Sequence, residues 1–235
     1  MNSIFLIAGN YLREQRWLVI LLLVWVFVSG VAPGVGGGMA MDDALFLVRQ
    51  QAVYGVAFAG FLAASAIHNE RRSRRILSVL SKGIERRQYL AGLLAGIAGI
   101  EGIYGLAMGV AGEWALAHSR AASSALWWML LALFVVAMLV ATVAMFFSTV
   151  LNPLFALAAT AVVLALPAAV RAAWSLRLPV ILPAYDLIAY VMGASLREAR
   201  PPDASLLALA AVEIALFWLA AAWVFARRDI AVAVE

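Results

Sequence analysis

A chain of 235 residues that is 66% apolar and only 13% charged, with a mean hydropathy of +0.98, carries too little polar surface to cover a water-soluble fold. Lipid must therefore solvate part of it. The net charge of +4 is small, and the absence of cysteine excludes disulfides, thiolate metal sites and cysteine nucleophiles.

The length suits a single membrane domain, residues 1–235, all-α and polytopic, with about six transmembrane helices and no separate soluble domain. Residues 1–16 read as an amphipathic entry helix along the inner membrane surface. Ile4, Phe5, Ala8, Tyr11 and Leu12 recur at helical spacing, and Arg13, Glu14 and Arg16 stand at the end nearer the membrane. A cleaved signal peptide fits less well, because the stretch before the apolar run is long and partly apolar. Spans are expected over 17–32, 51–67, 90–113, 124–147, 153–170 and 205–226, the first, second and fifth short for a bilayer core of about 30 Å.

Ala32-Pro33-Gly34 and the glycines at 36–38 stop the first span, and Asn152-Pro153 makes a tight turn between the fourth and fifth. The third carries Gly92, Gly96, Gly99, Gly102, Gly105, Gly109 and Gly112 as a drifting stripe that lets backbones approach closely. Trp127-Trp128 opens the fourth as an aromatic-belt anchor. Residues 171–204 are too apolar for an ordinary loop. Within them, 180–192 contains Pro183 and the single charge Asp186, too short to cross, and reads as one or two re-entrant or interfacial helices on the outer side.

Orientation follows from the basic residues. The two termini and the loops on their side hold eleven, among them Arg71, Arg72, Arg74, Arg75, Lys82, Arg86 and Arg87, while the opposite side holds six. The richer side is expected in the cytoplasm, with both termini, so the chain reads as a multi-pass protein of the cytoplasmic (inner) membrane.

The cytoplasmic loop 68–89 is the most informative stretch. Ile76, Leu77, Val79 and Leu80 form an apolar patch between two basic runs, and Lys82-Gly83 looks like a helix stop. Anchoring to anionic lipid explains the charge but not the apolar patch; a short helix that docks a cytoplasmic partner explains both. Glu101 in the third span, Glu113 near its outer end and Glu213 in the sixth are the acidic groups within the spans. An ionisable group at bilayer depth costs roughly 2.5–3.5 kcal/mol, so it must face a cavity, find a partner or stay protonated. Glu101 is the first candidate for a translocation path, with a structural, hydrogen-bonded carboxyl as the competing role; Glu113 and Glu213 could simply reach the outer interface. The two histidines, His68 and His118, fall on opposite sides of this topology and cannot share a metal. No Ser-His-Asp or paired-carboxylate site can be assembled, and nothing points to nucleic acid.

Glu70, Leu77, Leu80, Ser81, Arg87, Tyr89 and Leu90 together form an acidic-basic start, a short Ile-Leu-x-Val-Leu-Ser helix and an Arg-Arg-x-Tyr-Leu entry into the next span. This pattern resembles the permeases of type-2 ABC exporters. Tyr11, Leu12, Arg13, Glu14 and Arg16 are similar to their entry helix, Phe147-Ser148-Thr149 with Leu151-Asn152-Pro153 to their turn, and Leu182-Pro183 with Asp186-Leu187 to their outer loop. Phe225 with Arg227-Arg228-Asp229 is similar to their C-terminus. The doubled arginine pairs of the loop are denser than that family's pattern. The resemblance implies a coupling helix within about 70–87, with Glu70, Ile76, Leu77, Leu80, Ser81 and Arg87 contacting a separate ATPase subunit, and a second permease copy or related permease beside this one. It also implies that ATP and magnesium are bound by the partner. This chain lacks the G-x-x-x-x-G-K-[ST] loop, and the glycines at 34–38 lack the lysine and hydroxyl that would cradle a phosphate. An apolar path with few charges leans toward a hydrophobic or amphiphilic cargo. A membrane scaffold or assembly subunit and a lipid-modifying enzyme are the alternatives; the enzyme would need clustered polar residues at one membrane face, which the sequence does not display.

Overall fold

The computed structural model describes residues 3–30, 41–72, 84–116, 123–174, 182–192 and 200–227. Among them there are eight helices and no strand: α1 (Ser3–Glu14), α2 (Arg16–Gly30), α3 (Met41–Arg72), α4 (Arg86–Leu116), α5 (Ser123–Ser148), α6 (Pro153–Trp174), α7 (Leu182–Met192) and α8 (Ala204–Arg227).

Local chemistry sets several of the ends. Asp42 and Asp43 occupy the first turn of α3, where carboxylates complement the helix dipole. The backbone N–H of Phe155 donates to Asn152 Oδ1 at 3.0 Å, an N-cap bond, and Pro153 sits at the first helical position, where its missing N–H costs nothing. Asp203 caps α8 by accepting from the Ser205 N–H at 3.0 Å, and this bond holds its carboxyl below the usual carboxylate range. At the other end of α8, the Arg86 guanidinium donates to the carbonyls of Phe225 (3.2 Å) and Ala226 (3.0 Å), a cation on two orphan acceptors of a helix C-terminus.

Four stretches are long and apolar enough to cross a membrane: Asp42–Glu70, Arg86–Ala115, Ser124–Ser148 and Ala204–Arg227. Arg16–Gly30 and Pro153–Ala165 are shorter apolar stretches. Four of the six expected spans thus fall on these long stretches, and the first and fifth fall on the two shorter ones found among the described residues. The second is not short at all, since α3 runs for 32 residues and continues past the expected loop boundary to Arg72. α4 likewise starts at Arg86, so the ends of the 68–89 segment are helical. Of the expected coupling contacts, Ile76, Leu77, Leu80 and Ser81 lie outside the described residues.

α5 is the most enclosed of the four long helices and α8 the least. α5 contributes to both main core clusters. One gathers Val26, Leu45, Tyr104, Met108, Leu126 and Val191; the other gathers Ile7, Tyr11, Leu62, Ile67, Leu90 and Phe225. Ser3 Oγ donates to Gln88 Oε1 at 3.3 Å, and Arg86 holds the end of α8, so Ser3 and Arg227 lie at the same end of the bundle as the start of α4. α7, within the expected outer segment 171–204, buries Leu187 and Val191 in the core at the opposite end and packs on α5, α6 and α8. The remainder of that segment consists of the end of α6, the cap of α8 and residues outside the description.

The largest departure from expectation is α1. Rather than lying flat, it runs beside α4 in the same direction: Ile4 and Ile7 meet Gly92, Ala8 and Tyr11 meet Gly96, and Leu12 meets Gly99. A turn at Gln15, whose carbonyl accepts from the N–H groups of Leu18 and Val19 at 3.0 and 2.9 Å, passes the chain almost directly into α2. α2 then continues up α4 until Gly30 reaches Ala111. The seat is permissive because α4 offers glycine at each contact, so an amphipathic face that could have rested on lipid headgroups packs on protein instead. The charged hinge of Arg13, Glu14 and Arg16 comes level with Gly99. α4, about 46 Å long at 1.5 Å per residue, exceeds a bilayer core by roughly 16 Å, so the hinge sits near the membrane boundary when that surplus projects from the charged end.

Candidate functional site

The glycine stripe of α4 divides into three parts with different neighbours. Gly92, Gly96 and Gly99 seat α1; Gly109 and Gly112 lie against Trp127, Leu130 and Leu126 of α5; a Cβ added at Gly102 or Gly105 would meet nothing within 4 Å. The open part borders a cleft of about 320 Å³ between α4 and α5, walled by Trp127, Leu130, Leu131 and Phe134 from α5 and by Tyr104 and Leu106 from α4. It opens on the flank of the bundle, where Leu106 is 62% exposed.

Glu101, the middle residue of α4, lines this cleft and is itself only 4% exposed. Its Oε1 has no hydrogen-bond partner among the described residues. The other polar groups in the walls are committed elsewhere: the Tyr104 hydroxyl donates to the Gln51 carbonyl at 2.7 Å, and the Trp127 indole N–H donates to Glu113 Oε1 at 3.0 Å. A buried polar atom without a partner costs about 1–3 kcal/mol, so this carboxyl is a place where the fold carries a burden.

Glu113 therefore has a structural role that sequence reasoning missed, tying the end of α4 to the start of α5. The neighbouring Trp127-Trp128 pair was the available signal. Glu213, expected near the outer interface with Glu113, is instead buried well inside α8 at 9% exposure, and its Oε1 also lacks a partner among the described residues. It lies on the stretch of α8 that faces Ala91–Ala98 of α4, not in the Glu101 cleft. The three acidic residues are thus not one cluster.

Of the expected partner contacts that are described, Glu70 is buried (7% exposed) and within electrostatic reach of Tyr11, whose hydroxyl donates to the Leu62 carbonyl at 3.3 Å. The Tyr11–Leu62 bond fastens α1 to α3. Arg87 is exposed and pairs with Glu85, which lowers the Glu85 carboxyl below its ordinary range through that hydrogen bond and charge. No group of three or more metal-ligating side chains occurs among the described residues. A second cavity, about 630 Å³ between α2 and α3, is lined by Leu21, Leu22, Trp25, Val28 and Phe58 with almost no polar surface, a lining suited to lipid chains.

Length and composition of the helices make this a membrane protein that is all-helical among the described residues, and a buried carboxyl lines its α4–α5 cleft. No protein-family model matches the chain, and no curated protein is similar to it in sequence.

Proposed function

We propose that this chain is the membrane-spanning permease subunit of an ATP-driven exporter of the type-2 ABC class. It works as a dimer with itself or a related permease, with two ATPase subunits bound at the cytoplasmic face. The observation that carries this reading is the sequence pattern around Glu70–Leu90: an apolar patch between basic runs, followed by a long helix. That helix is α4, and α4 carries Glu101 sixteen residues in, roughly 22 Å along a rigid rod. A displacement of the loop on ATP binding would be passed along α4 to the cleft, the kind of gating by which closure at one site moves another. The charged end of the bundle, which also holds Ser3 and Arg227, faces the cytoplasm in this reading, and six passes result when α1–α2 and α6 each complete a crossing.

The experiment is co-purification of the tagged permease with its ATPase, in the wild type and in a Leu77→Asp, Leu80→Asp double variant. Two unpaired charges in an apolar docking groove should cost several kcal/mol, enough to abolish a moderate-affinity contact, while insertion stays normal because both positions lie outside every span expected from the sequence. A variant that keeps its ATPase and wild-type stimulation of hydrolysis would remove the coupling role. Failure of any ATPase to accompany the wild type would remove the exporter reading altogether.

Orientation has its own test. Because the chain contains no cysteine, a single one placed at position 78 reports its side cleanly. It should resist a membrane-impermeant thiol reagent in intact cells and react after permeabilisation; labelling in intact cells would invert the topology.

A further inference from the structure

A carboxyl group, two aromatic walls and an open, glycine-floored space are three independent features of one cleft. Glu101 is 96% enclosed yet one of its oxygens is unpartnered, and neither Tyr104 nor Trp127 can serve it, since each already donates elsewhere. A partner for it then comes from outside the described residues, and the ionised carboxylate takes a hydrogen-bond donor. Trp127 and Phe134 flank the same space, and aromatic faces attract cations. The remaining walls are leucine, and the volume of about 320 Å³ lies at the lower end of the range that holds small organic ligands. A lipid acyl chain would fill the leucine walls but leave Glu101 unsatisfied; a metal ion would find one carboxyl and no histidine or second carboxylate in the lining among the described residues.

We propose that the α4–α5 cleft binds an amphiphilic amine, with the Glu101 carboxylate as counter-ion to its ammonium group and Trp127 and Phe134 against its apolar body. As a statement about cargo this rests on the exporter reading; as a statement about a site it requires no ATPase. Gly102 and Gly105 leave room for the ligand, and the flank opening beside Leu106 admits it from the lipid.

The test uses the full chain in lipid nanodiscs, with empty nanodiscs as the partition control, and two probes of the same shape. Naphthylmethylamine is a cation at neutral pH; naphthylmethanol is a neutral hydrogen-bond donor. Equilibrium dialysis should show the amine binding wild-type protein about tenfold or more tighter than the alcohol, the advantage of a charge-assisted hydrogen bond over a neutral one. Glu101→Gln should bring the amine down to the affinity of the alcohol. Gly105→Leu should weaken both probes by filling the space while leaving the carboxyl in place. Equal binding of the two probes, an amine preference that survives Glu101→Gln, or binding no greater than in empty nanodiscs would each overturn the proposal. Amine binding without a co-purifying ATPase would overturn the exporter reading and leave the site standing; an ATPase without amine binding would do the reverse.

Discussion

Gly92→Ala should destabilise this protein, whereas Gly102→Ala, ten residues along the same helix, should not. A methyl group at 92 would lie 2.7 Å from Ile7 Cβ and 3.2 Å from the Ile4 carbonyl oxygen. Neither atom can rotate away, because one belongs to the first carbon of a side chain and the other to the backbone of α1. The helix α1 must shift, and overpacking of this kind costs typically about 1–3 kcal/mol. Gly92→Leu should go further and lift α1 off α4, exposing Ile7 and Tyr11. At Gly102 there is open space, so alanine brings only its better helix propensity, worth up to about 1 kcal/mol. Thermal unfolding of the detergent-solubilised protein, followed by tryptophan fluorescence, gives the order directly: Gly92→Ala below wild type and Gly102→Ala at or above it. Equal midpoints for the two variants would show that α1 does not pack on α4 as described.

Glu213→Leu should have the opposite sign and raise stability by about 1–3 kcal/mol, the penalty of a buried polar atom left without a partner. The carboxyl lies in α8, is 9% exposed, and its Oε1 has no partner among the described residues. If Glu213 also takes part in transport, the same substitution should lower substrate-stimulated ATP hydrolysis while raising the unfolding midpoint, the usual opposition between activity and stability at a working site. A fall in the midpoint for Glu213→Leu, with recovery by Glu213→Gln, would instead identify a structural hydrogen bond made by this carboxyl. The two outcomes separate a burden from a brace.

The membrane character and the all-helical class were legible in composition alone, because runs of apolar residues near 20 long leave the backbone only one way to satisfy itself in lipid. The turn at Asn152-Pro153 was legible too, because it acts through neighbours within a turn and needs nothing from the rest of the fold. Element ends were less so: α3 and α4 run several residues into the basic segment, since arginine is a good helix former and charge by itself does not end a helix. The depth of Glu101 along its helix could be read from the chain, and its candidacy with it.

What lies opposite each residue was decided only by tertiary packing. The seven glycines of α4 are alike in the sequence, yet three seat α1, two seat α5 and two are left open, according to which helix passes in front of each. An amphipathic pattern in residues 3–14 specifies that one face will be covered, but not whether lipid or α4 covers it; the glycines of a helix more than seventy residues away settle that question. Glu113 and Glu213 differ in the same way. The Trp127 indole donates to the first, whereas the buried Oε1 of the second has no partner among the described residues. Sequence patterns report the periodicity of a face because that depends on the chain's own geometry. The identity of what meets that face depends on segments distant in the chain, and only the folded arrangement brings them together.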